Sequence, residues 1–459
     1  MKNQIDSQKK MTLFALTWPI FIEVMLYMLM GNADTLMLSL YSDNSVAAVG
    51  VSNQIVSLII VMFGFVATGT TILIAQNLGA KNEQTAKEIA VVSLGANLIF
   101  GLILSVLMLV FTNGILGMMG LPDGLYLEAD AYLRIVGGFA FVQALIMTVG
   151  AILRSYGYTK DAMYITIGMN ILNVIGNYFA IFGPFGFPVL GVEGVAFSTT
   201  ISRAIGVVVA VVVLMKRMPT PLPWAFLFRL PKEHLQNLLK IGIPSAGENL
   251  AYNGSQVVIT RFISEMGTLA LTTKVYTQNL MMFIFLFAIA IAQGTQILIG
   301  HKIGAGQMEE AYKRCLRSLK IAIAVSLGMA LLFSIFSKSL LGIFTDNPEI
   351  IALGTVLIWL TVILEPGRSF NLIVINALRA AGDVRFPVYM GILSMWGVSV
   401  TLSYVLGIVF GLGLVGIWIA FIADEWLRGI LMLLRWRSRV WMSKVFVKKK
   451  DSETKSTAS

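Results

Sequence analysis

Long apolar runs, separated by short polar or Gly/Pro-rich breaks, occupy most of the sequence. A membrane-crossing helix needs roughly 20 mainly apolar residues, so this pattern predicts an all-α polytopic membrane protein. Only 13% of the 459 residues are charged. Soluble domains carry about 25%, which excludes a water-soluble globular protein. The twelve predicted spans are 12–40, 46–76, 86–112, 126–151, 161–182, 190–215, 237–263, 269–300, 310–336, 351–378, 387–410 and 413–435.

An internal repeat runs through the chain in one constant register, which aligns position 19 with position 244. Without gaps, 19–88 and 244–313 are identical at 15 positions. The shared residues include Pro, Glu and Gly, which unrelated apolar sequences would not match in register. Among the matched pairs are Pro19/Pro244, Glu23/Glu248, Tyr27/Tyr252, Thr35/Thr260, Gly69/Gly294 and Gly79/Gly304. Beyond these ranges, the same register aligns Arg154 with Arg379.

The repeat predicts two copies of a six-helix unit. These are an N-terminal lobe at 1–215 and a C-terminal lobe at 241–435, with a linker at 216–240 and a basic tail at 436–459. Six spans return the chain to its starting side, so the copies are related by an axis along the membrane normal. Transporters with a cavity between two lobes use this parallel-repeat plan.

The basic residues predict the orientation. With the N-terminus in the cytoplasm, 27 of the 34 Lys and Arg residues lie in cytoplasmic segments. The positive-inside rule therefore predicts a multi-pass protein of the cell membrane with both termini cytoplasmic. The Lys448–Lys450 run is expected to contact anionic lipid headgroups. In a soluble protein the net charge of +10 would suggest nucleic acid, but here we expect no nucleic-acid partner.

Few residues could support a disulfide framework, a metal centre or catalysis. Cys315 is the single cysteine, and His234 and His301 are the only histidines. The sequence contains no His-Glu-x-x-His and no Gly-x-Ser-x-Gly motif, so a membrane-embedded enzyme is disfavoured. We expect no cofactor and no resident metal. A channel or a purely structural membrane protein fits the two-lobed repeat less well than a transporter.

Several motifs resemble those of the multidrug and toxic compound extrusion (MATE) transporters, over residues 12–435. They are Trp18-Pro19, Asn32-Ala33-Asp34-Thr35-Leu36-Met37, Ala75-Gln76-Asn77-Leu78-Gly79-Ala80, Gly191-Val192-Glu193-Gly194-Val195-Ala196, Leu378-Arg379-Ala380-Ala381-Gly382-Asp383 and Gly413-Leu414-Val415-Gly416-Ile417-Trp418. The resemblance implies a secondary antiporter that exports amphipathic, often cationic compounds in exchange for H⁺ or Na⁺. We expect it to work as a monomer.

Four polar residues in the outer half of the N-terminal lobe form the first candidate site: Asp34, Asn173, Asn177 and Thr199. At 1.5 Å per residue they lie roughly 8–14 Å from the outer ends of their helices, so they can share one depth. An ionisable group inside a bilayer is costly and is a functional candidate by default. These oxygens suit Na⁺, and Asp34 can equally hold a proton.

Two features qualify this first site. Interhelical hydrogen bonds are an alternative role for the two asparagines. The family resemblance also implies a second acid where this sequence has Asn177, and the repeat partner of Asp34 is Ile259. We therefore expect fewer ion-binding charges than in such relatives, and chemically unequal lobes.

A second polar layer is predicted about 10–13 residues from the cytoplasmic helix ends. Its members are Glu23, Arg203, Glu248, Glu365, Arg368, Asp424 and Glu425, with Arg428 slightly nearer the cytoplasm. Glu365 and Arg368 are spaced to pair within one helix, and Glu23 and Arg203 are candidates to pair across helices. The layer is either a fixed structural network, or an inner gate or second protonation site.

Three further residues are candidates for the substrate cavity: Tyr27, Met30 and Tyr252. The 24 Met and 27 Phe residues suit a pliable cavity, although most are expected to pack in the core or face lipid. In the NorM-type branch, the resemblance places acids at the positions of Arg368 and Tyr252, so that branch's C-lobe cation site is not expected here. A flippase for a lipid-linked sugar or other amphiphile is the alternative function within the same superfamily.

Overall fold

The computed structural model describes residues 11–119, 122–218 and 220–447, without the side chains of Asn32 and Asp123. Within these ranges the chain forms helices and loops and no strand. The first half contains α1 (Leu13–Ser39), α2 (Asp43–Gly79), α3 (Glu83–Met118), α4 (Asp123–Tyr132), α5 (Ala140–Ser155), α6 (Thr159–Phe182), α7 (Gly191–Arg217) and the short α8 (Phe226–Arg229).

The second half repeats this alternation of long helices and short connections. Its helices are α9 (Lys232–Glu265), α10 (Thr268–Gly304), α11 (Met308–Ile335), α12 (Ser337–Leu341), α13 (Pro348–Ala380), α14 (Arg385–Ser394) and α15 (Gly413–Arg437). The connection between α7 and α9 is shorter than the predicted 216–240 linker, because α9 already begins at Lys232.

Nine helices of the described chain are long and apolar enough to cross a membrane, where α14 and the π-helical turns after it count as one helix, Arg385–Val409. A bent pair supplies a tenth candidate span. Large apolar side chains on their outer faces are exposed, as a lipid-facing surface requires; Val208 is 64% exposed and Ile363 is 52% exposed. The protein is therefore an all-helical, multi-pass membrane protein. Two further long helices, α9 and α15, are more polar.

Polar residues explain why α9 and α15 differ from the other long helices. Helix α9 carries Glu248 and Asn249 in its central part, and α15 carries Asp424, Glu425 and Arg428. Such groups are costly in lipid and usually face the interior of a bundle or a water-filled cavity. The polarity of these two helices thus locates the polar interior of the second half.

The candidate span that contains α4 and α5 is bent by 43°. A π-helical turn at Leu133–Gly137 follows α4, and wide turns of this type interrupt the regular hydrogen-bond ladder. Gly138 follows at a close approach to Leu109 of α3, where a Cβ atom would lie 2.8 Å from its Cδ2. The apolar run 126–151 alone does not reveal this bend.

The first helix of each half packs against the second helix of the other half. Leu13 of α1 lies beside Gly294 of α10, and Leu238 of α9 lies beside Gly69 of α2. A Cβ on either glycine would be 3.3–3.4 Å from the leucine methyl, so glycine allows these helices to approach closely. These contacts link the two halves near the end of the molecule where α1 begins and α15 ends, called here the terminal end.

Candidate functional site

Asp34 lies at the centre of a buried hydrogen-bonded cluster formed by α1, α6 and α7. The side chain is 3% exposed. Asn177 Nδ2 donates to Asp34 Oδ1 at 2.5 Å, and Thr199 Oγ1 donates to Asp34 Oδ2 at 3.2 Å. Asn173 Nδ2 donates to Thr199 Oγ1 at 3.1 Å. The four residues of the first candidate site therefore lie together in one cluster.

Close packing of α6 against α7 positions the cluster. Gly176 faces Ser198, whose hydroxyl occupies the space of a Cβ and donates to the Asn173 carbonyl at 2.9 Å. One turn further, Gly194 faces Ala180 with a hypothetical Cβ contact of 2.5 Å. Small residues on both helices therefore bring the amides of α6 next to the Thr199 hydroxyl of α7.

Within the part of the chain that the structure describes, the direct hydrogen-bond partners of the Asp34 carboxylate are neutral. Burying a carboxylate without a paired cation is costly, so a proton or a bound cation would stabilise it. Asn173 Oδ1 and Asn177 Oδ1 are buried and have no hydrogen-bond partner among the described residues. These amide oxygens and the carboxylate are hard-oxygen ligands of the type that Na⁺ accepts.

A cluster of three or more His, Cys, Asp or Glu side chains that could hold a metal is absent from residues 11–119, 122–218 and 220–447. The Asp34 cluster has a single carboxylate, which suits a monovalent ion better than a tightly held divalent or transition metal.

Glu23 pairs with Arg154, and the predicted pairing with Arg203 is wrong. Arg154 Nη1 of α5 lies 2.5 Å from Glu23 Oε1, and both groups are largely buried. Arg154 lies near the end of its apolar run, so depth counted along single helices gave it no weight. The repeat contained the missing signal, since it pairs Glu23 with Glu248 and Arg154 with Arg379.

The equivalent pair is present in the second half, where Arg379 of α13 contacts Glu248 of α9. Counting residues from the cytoplasmic helix ends therefore also missed Arg379. Arg368 pairs with Glu365 at 2.8 Å within α13, as their spacing predicts. It also reaches Glu425 of α15 at 3.6 Å.

Helix α15 supplies the rest of this network. Arg428 Nη2 lies 2.7 Å from Asp424 and 3.0 Å from Glu425. Ser394 donates to Asp424 at 2.6 Å, and Asn371 donates to Glu425 at 2.9 Å. The second half therefore contains one connected network of three carboxylates and two guanidinium groups, and the separate pair Glu248–Arg379.

A cavity of about 660 Å³ adjoins this network and falls in the size range of small-molecule sites. Glu248, Tyr252, Arg368, Glu425 and Arg428 line it. Apolar and amide side chains form the remaining wall: Met28, Asn249, Gln278, Asn279, Met281, Met282, Phe285, Asn371, Leu372, Ile375 and Met395, beside Arg379. A wall of this mixture can accept an amphipathic molecule.

The other two cavity candidates lie elsewhere. Tyr27 and Glu23 line a small gap beside Thr166 of α6. Met30 is 4% exposed, and in the described chain its neighbour Met28, rather than Met30, lines the 660 Å³ cavity.

The two halves close against each other at the terminal end. Gln76 Nε2 of α2 donates to the Ala380 carbonyl at 2.6 Å, and His301 Nε2 of α10 lies 2.8 Å from the Ser155 carbonyl. Gln76 and His301 are aligned by the repeat, as are Ser155 and Ala380. A Cβ on Gly79 would collide with the His301 carbonyl. We call these contacts the terminal seal.

The chain after α15 reinforces the terminal seal. The backbone N–H of Phe446 donates to Gln76 Oε1 at 3.0 Å, and the Phe446 side chain packs on apolar residues of the first half. Trp441 stacks on Trp436 with ring centroids 4.1 Å apart. The sequence predicts only a basic tail here, and its lipid-binding run at Lys448–Lys450 lies outside the described residues.

Comparison with known proteins gives consistent results over nearly the whole chain. A Bacillus subtilis protein named Uncharacterized transporter YisQ is 60% identical over 438 residues, covering 95% of this chain and 96% of that protein. Probable multidrug resistance protein NorM of Thermotoga maritima is 28% identical and covers 96% and 94%. A solved structure titled as the outward-facing conformation of a multidrug resistance MATE family transporter superposes with a TM-score of 0.85 at 22% identity, covering 94% and 95%.

The family model named MatE matches the chain twice, at residues 19–179 and 244–405. The two matches begin at positions that the internal repeat aligns, and together they cover more than half of the chain. The chain therefore belongs to the MATE family of transporters, as its sequence motifs predict.

Proposed function

We propose that the protein is a secondary active efflux antiporter that exchanges amphipathic organic compounds for H⁺ or Na⁺. The observation that supports this most is the buried Asp34 carboxylate, which has neutral direct hydrogen-bond partners and two unpartnered amide oxygens beside it. Its relatives are named as transporters and multidrug resistance proteins, which supports transport rather than catalysis.

The proposed architecture has twelve spans in two six-helix lobes, with both termini in the cytoplasm of a cell whose plasma membrane holds the protein. The ten candidate spans, α9 and α15 together make twelve. The repeated family match and the paired contacts between repeat-aligned residues support two equivalent lobes. The proposed orientation places the terminal seal on the cytoplasmic side, because most basic residues lie at that end.

The proposed cycle couples the charge of Asp34 to the lobe arrangement. A proton or Na⁺ entering from outside neutralises Asp34, the packing of α1, α6 and α7 changes, and substrate is released outward. The terminal seal then opens and the lobes rock inward. The ion must bind the two arrangements with different affinity to drive this change. Inward movement of one positive charge across about −100 mV supplies roughly 2.3 kcal/mol.

The test is efflux of a cationic fluorescent dye from proteoliposomes under an imposed pH gradient or an imposed Na⁺ gradient. We expect one gradient to drive efflux by the wild type and Asp34→Asn to abolish it, because an amide cannot take up the coupling charge. Membrane insertion should persist, since a neutral amide is easier to place in a bilayer.

Asp43→Asn is the matched control, because it removes an exposed carboxylate at the start of α2, outside the cluster. Wild-type rates in Asp34→Asn would refute the Asp34 assignment. If neither gradient moves dye, the protein is not a coupled drug antiporter.

A lipid flippase is the second candidate function, and the arginines of the larger cavity favour it. Arg368, Arg379 and Arg428 all line that cavity, where they could meet a phosphate group. A translocation assay with a labelled anionic lipid distinguishes this function, since a flippase would move the lipid without an imposed ion gradient.

A further inference from the structure

A second cavity, of about 300 Å³, lies between the two halves of the chain, above the terminal seal. We call it the axial cavity. Helices α2 and α5 of the first half and α10 and α13 of the second half form its walls. Among its lining residues on α2, Thr71 is the nearest to the terminal seal. It is one helical turn from Ala75, which contacts α10 at Gly300.

The walls of the axial cavity are equivalent under the repeat. Each lining residue of the first half has its repeat partner among the lining residues of the second half. The pairs are Gly64/Ile289, Ala67/Ala292, Thr68/Gln293, Thr71/Gln296, Met147/Leu372 and Arg154/Arg379. The cavity therefore lies on the pseudo-two-fold axis that relates the two copies, with one arginine contributed by each copy.

The charged groups on the wall of the axial cavity are positive. Arg154 and Arg379 line it, while no carboxylate does so among the described residues. The partner of Arg154, Glu23, faces the small gap beside Thr166, and the partner of Arg379, Glu248, faces the larger cavity. Each guanidinium thus separates its own carboxylate from the axial cavity.

Unpartnered hydrogen-bond donors also border the axial cavity. Gln296 is 5% exposed, and its Nε2 is buried without a partner in the described chain. Arg379 Nε is likewise buried without a partner. A buried donor without an acceptor is costly, so both side chains would gain by turning toward an acceptor in the cavity that they line. Guanidinium groups and amide N–H donors together match the acceptor oxygens of a carboxylate or a phosphate.

We propose that the axial cavity binds an oxyanion group, a carboxylate or phosphate, carried by the transported amphiphile. The axial cavity and the 660 Å³ cavity share Leu372 and Arg379, so one molecule can place its acid in the former and its apolar body in the latter. The substrates preferred by this protein therefore carry an acidic group in addition to any cationic one. The transport part of this inference rests on the proposed function, whereas the binding part does not.

The first experiment compares two dyes that differ only in the acid. Rhodamine B has a carboxylate and a cationic ring system, and its ethyl ester has the same ring system without the acid. Binding to the purified full chain in phosphatidylcholine nanodiscs is followed by fluorescence anisotropy. We expect rhodamine B to bind roughly ten-fold more tightly, the effect of hydrogen bonds to a charged group.

The decisive variant is the double replacement Glu23→Gln with Arg154→Gln. It removes one guanidinium from the axial cavity and leaves no unpaired buried charge, and neither residue lines the larger cavity. We expect the preference for rhodamine B to decrease, because one of the two guanidinium groups is lost, while ester binding is unchanged. Glu23→Gln alone is the matched control, because it retains the guanidinium and must retain the preference. Gln296→Leu should reduce the preference without changing any charge.

The outcomes separate the sources of the oxyanion. If phosphatidylglycerol in the nanodisc displaces rhodamine B from the wild type, the site is supported and a lipid headgroup also occupies it. Equal affinity of the wild type for the two dyes overturns the proposal, as does an unchanged preference in the double variant. The assay uses no ion gradient, so a protein that passes it but fails gradient-driven transport refutes antiport and not this site.

Discussion

At the scale of single residues, the ion pairs Glu23–Arg154 and Glu248–Arg379 neutralise buried charges in the two halves of the protein. Both pairs are buried; Glu23–Arg154 joins α1 to α5, and Glu248–Arg379 joins α9 to α13. A buried ion pair adds little stability relative to apolar residues, but the removal of one partner leaves an uncompensated charge. Each carboxylate therefore needs its arginine as a counter-charge in the buried interior. Both arginines also line the axial cavity.

Arg154→Ala should destabilise the protein strongly. The change leaves Glu23 buried and unpaired, a loss of about 3–5 kcal/mol. We expect a lower folded yield and a lower thermal midpoint in detergent. Adding Glu23→Gln to Arg154→Ala should recover most of the loss, because it removes the unpaired charge. Equal midpoints for Arg154→Ala and the wild type would contradict this account of the pair.

Arg368 is a counter-charge for two carboxylates at once. Arg368→Ala leaves Glu365 and Glu425 without a shared counter-charge. If the network is structural, folded yield falls and the transport rate per folded molecule stays close to the wild type. Size-exclusion yield and proteoliposome efflux measure the two effects separately. Normal yield with lost efflux would instead assign a gating role to the network.

At the scale of helices, glycine sets how closely the two halves approach. Gly304 of α10 faces the Gln76 carbonyl of α2, and Gly79 of α2 faces the His301 carbonyl. A methyl group at either position would overlap with backbone atoms, which cannot move aside as a flexible side chain can. The motif residues around Gly79 and Gly304 are therefore explained by helix contact in the terminal seal.

Gly304→Ala should open the terminal seal. The added Cβ displaces α10 from α2, so we expect slower efflux and faster maleimide labelling of a cysteine introduced at Gln293 in a Cys315→Ala background. Gly328→Ala in α11 is the control, because open space surrounds that position. Unchanged labelling in Gly304→Ala would show that the seal tolerates the extra atom.

At the scale of the whole molecule, the two halves are joined mainly at the terminal end. The seal, the crossed packing of α1 and α9, and the segment around Phe446 all lie there. In the proposed cycle these contacts break each time the lobes rock, whereas contacts within each half can persist. The seal contains few strong interactions, which is consistent with repeated opening.

A disulfide across the seal should stop transport reversibly. A Cβ on Gly300 would lie 2.8 Å from the Ala75 Cβ. A disulfide needs about 3.5–4.5 Å between these atoms, so a small separation of α2 and α10 is sufficient. We expect Ala75→Cys with Gly300→Cys, in a Cys315→Ala background, to lose efflux when oxidised and to regain it with a reductant. Each single cysteine variant is the control, and full efflux by the oxidised double variant would contradict the proposed cycle.

Hydropathy and residue identity were sufficient to predict the membrane class, the family and the residues around Asp34. Apolar runs report lipid exposure directly, and Asp34, Asn173, Asn177 and Thr199 share a depth that can be counted along each helix. Only the tertiary structure could assign partners. Depth does not specify which helices are neighbours, so it paired Glu23 with Arg203 and overlooked Arg154 and Arg379.

The sequence by itself determined that the chain crosses a membrane repeatedly and carries two related halves, because both properties depend on residue type and order alone. The tertiary structure decided which charges meet, where α4 and α5 bend, how the terminal seal closes and where the axial cavity lies. These features arise mainly from side chains that are far apart in the chain, as Glu23 and Arg154 are at a separation of 131. Contacts of that kind depend on helix packing, and no local pattern encodes them.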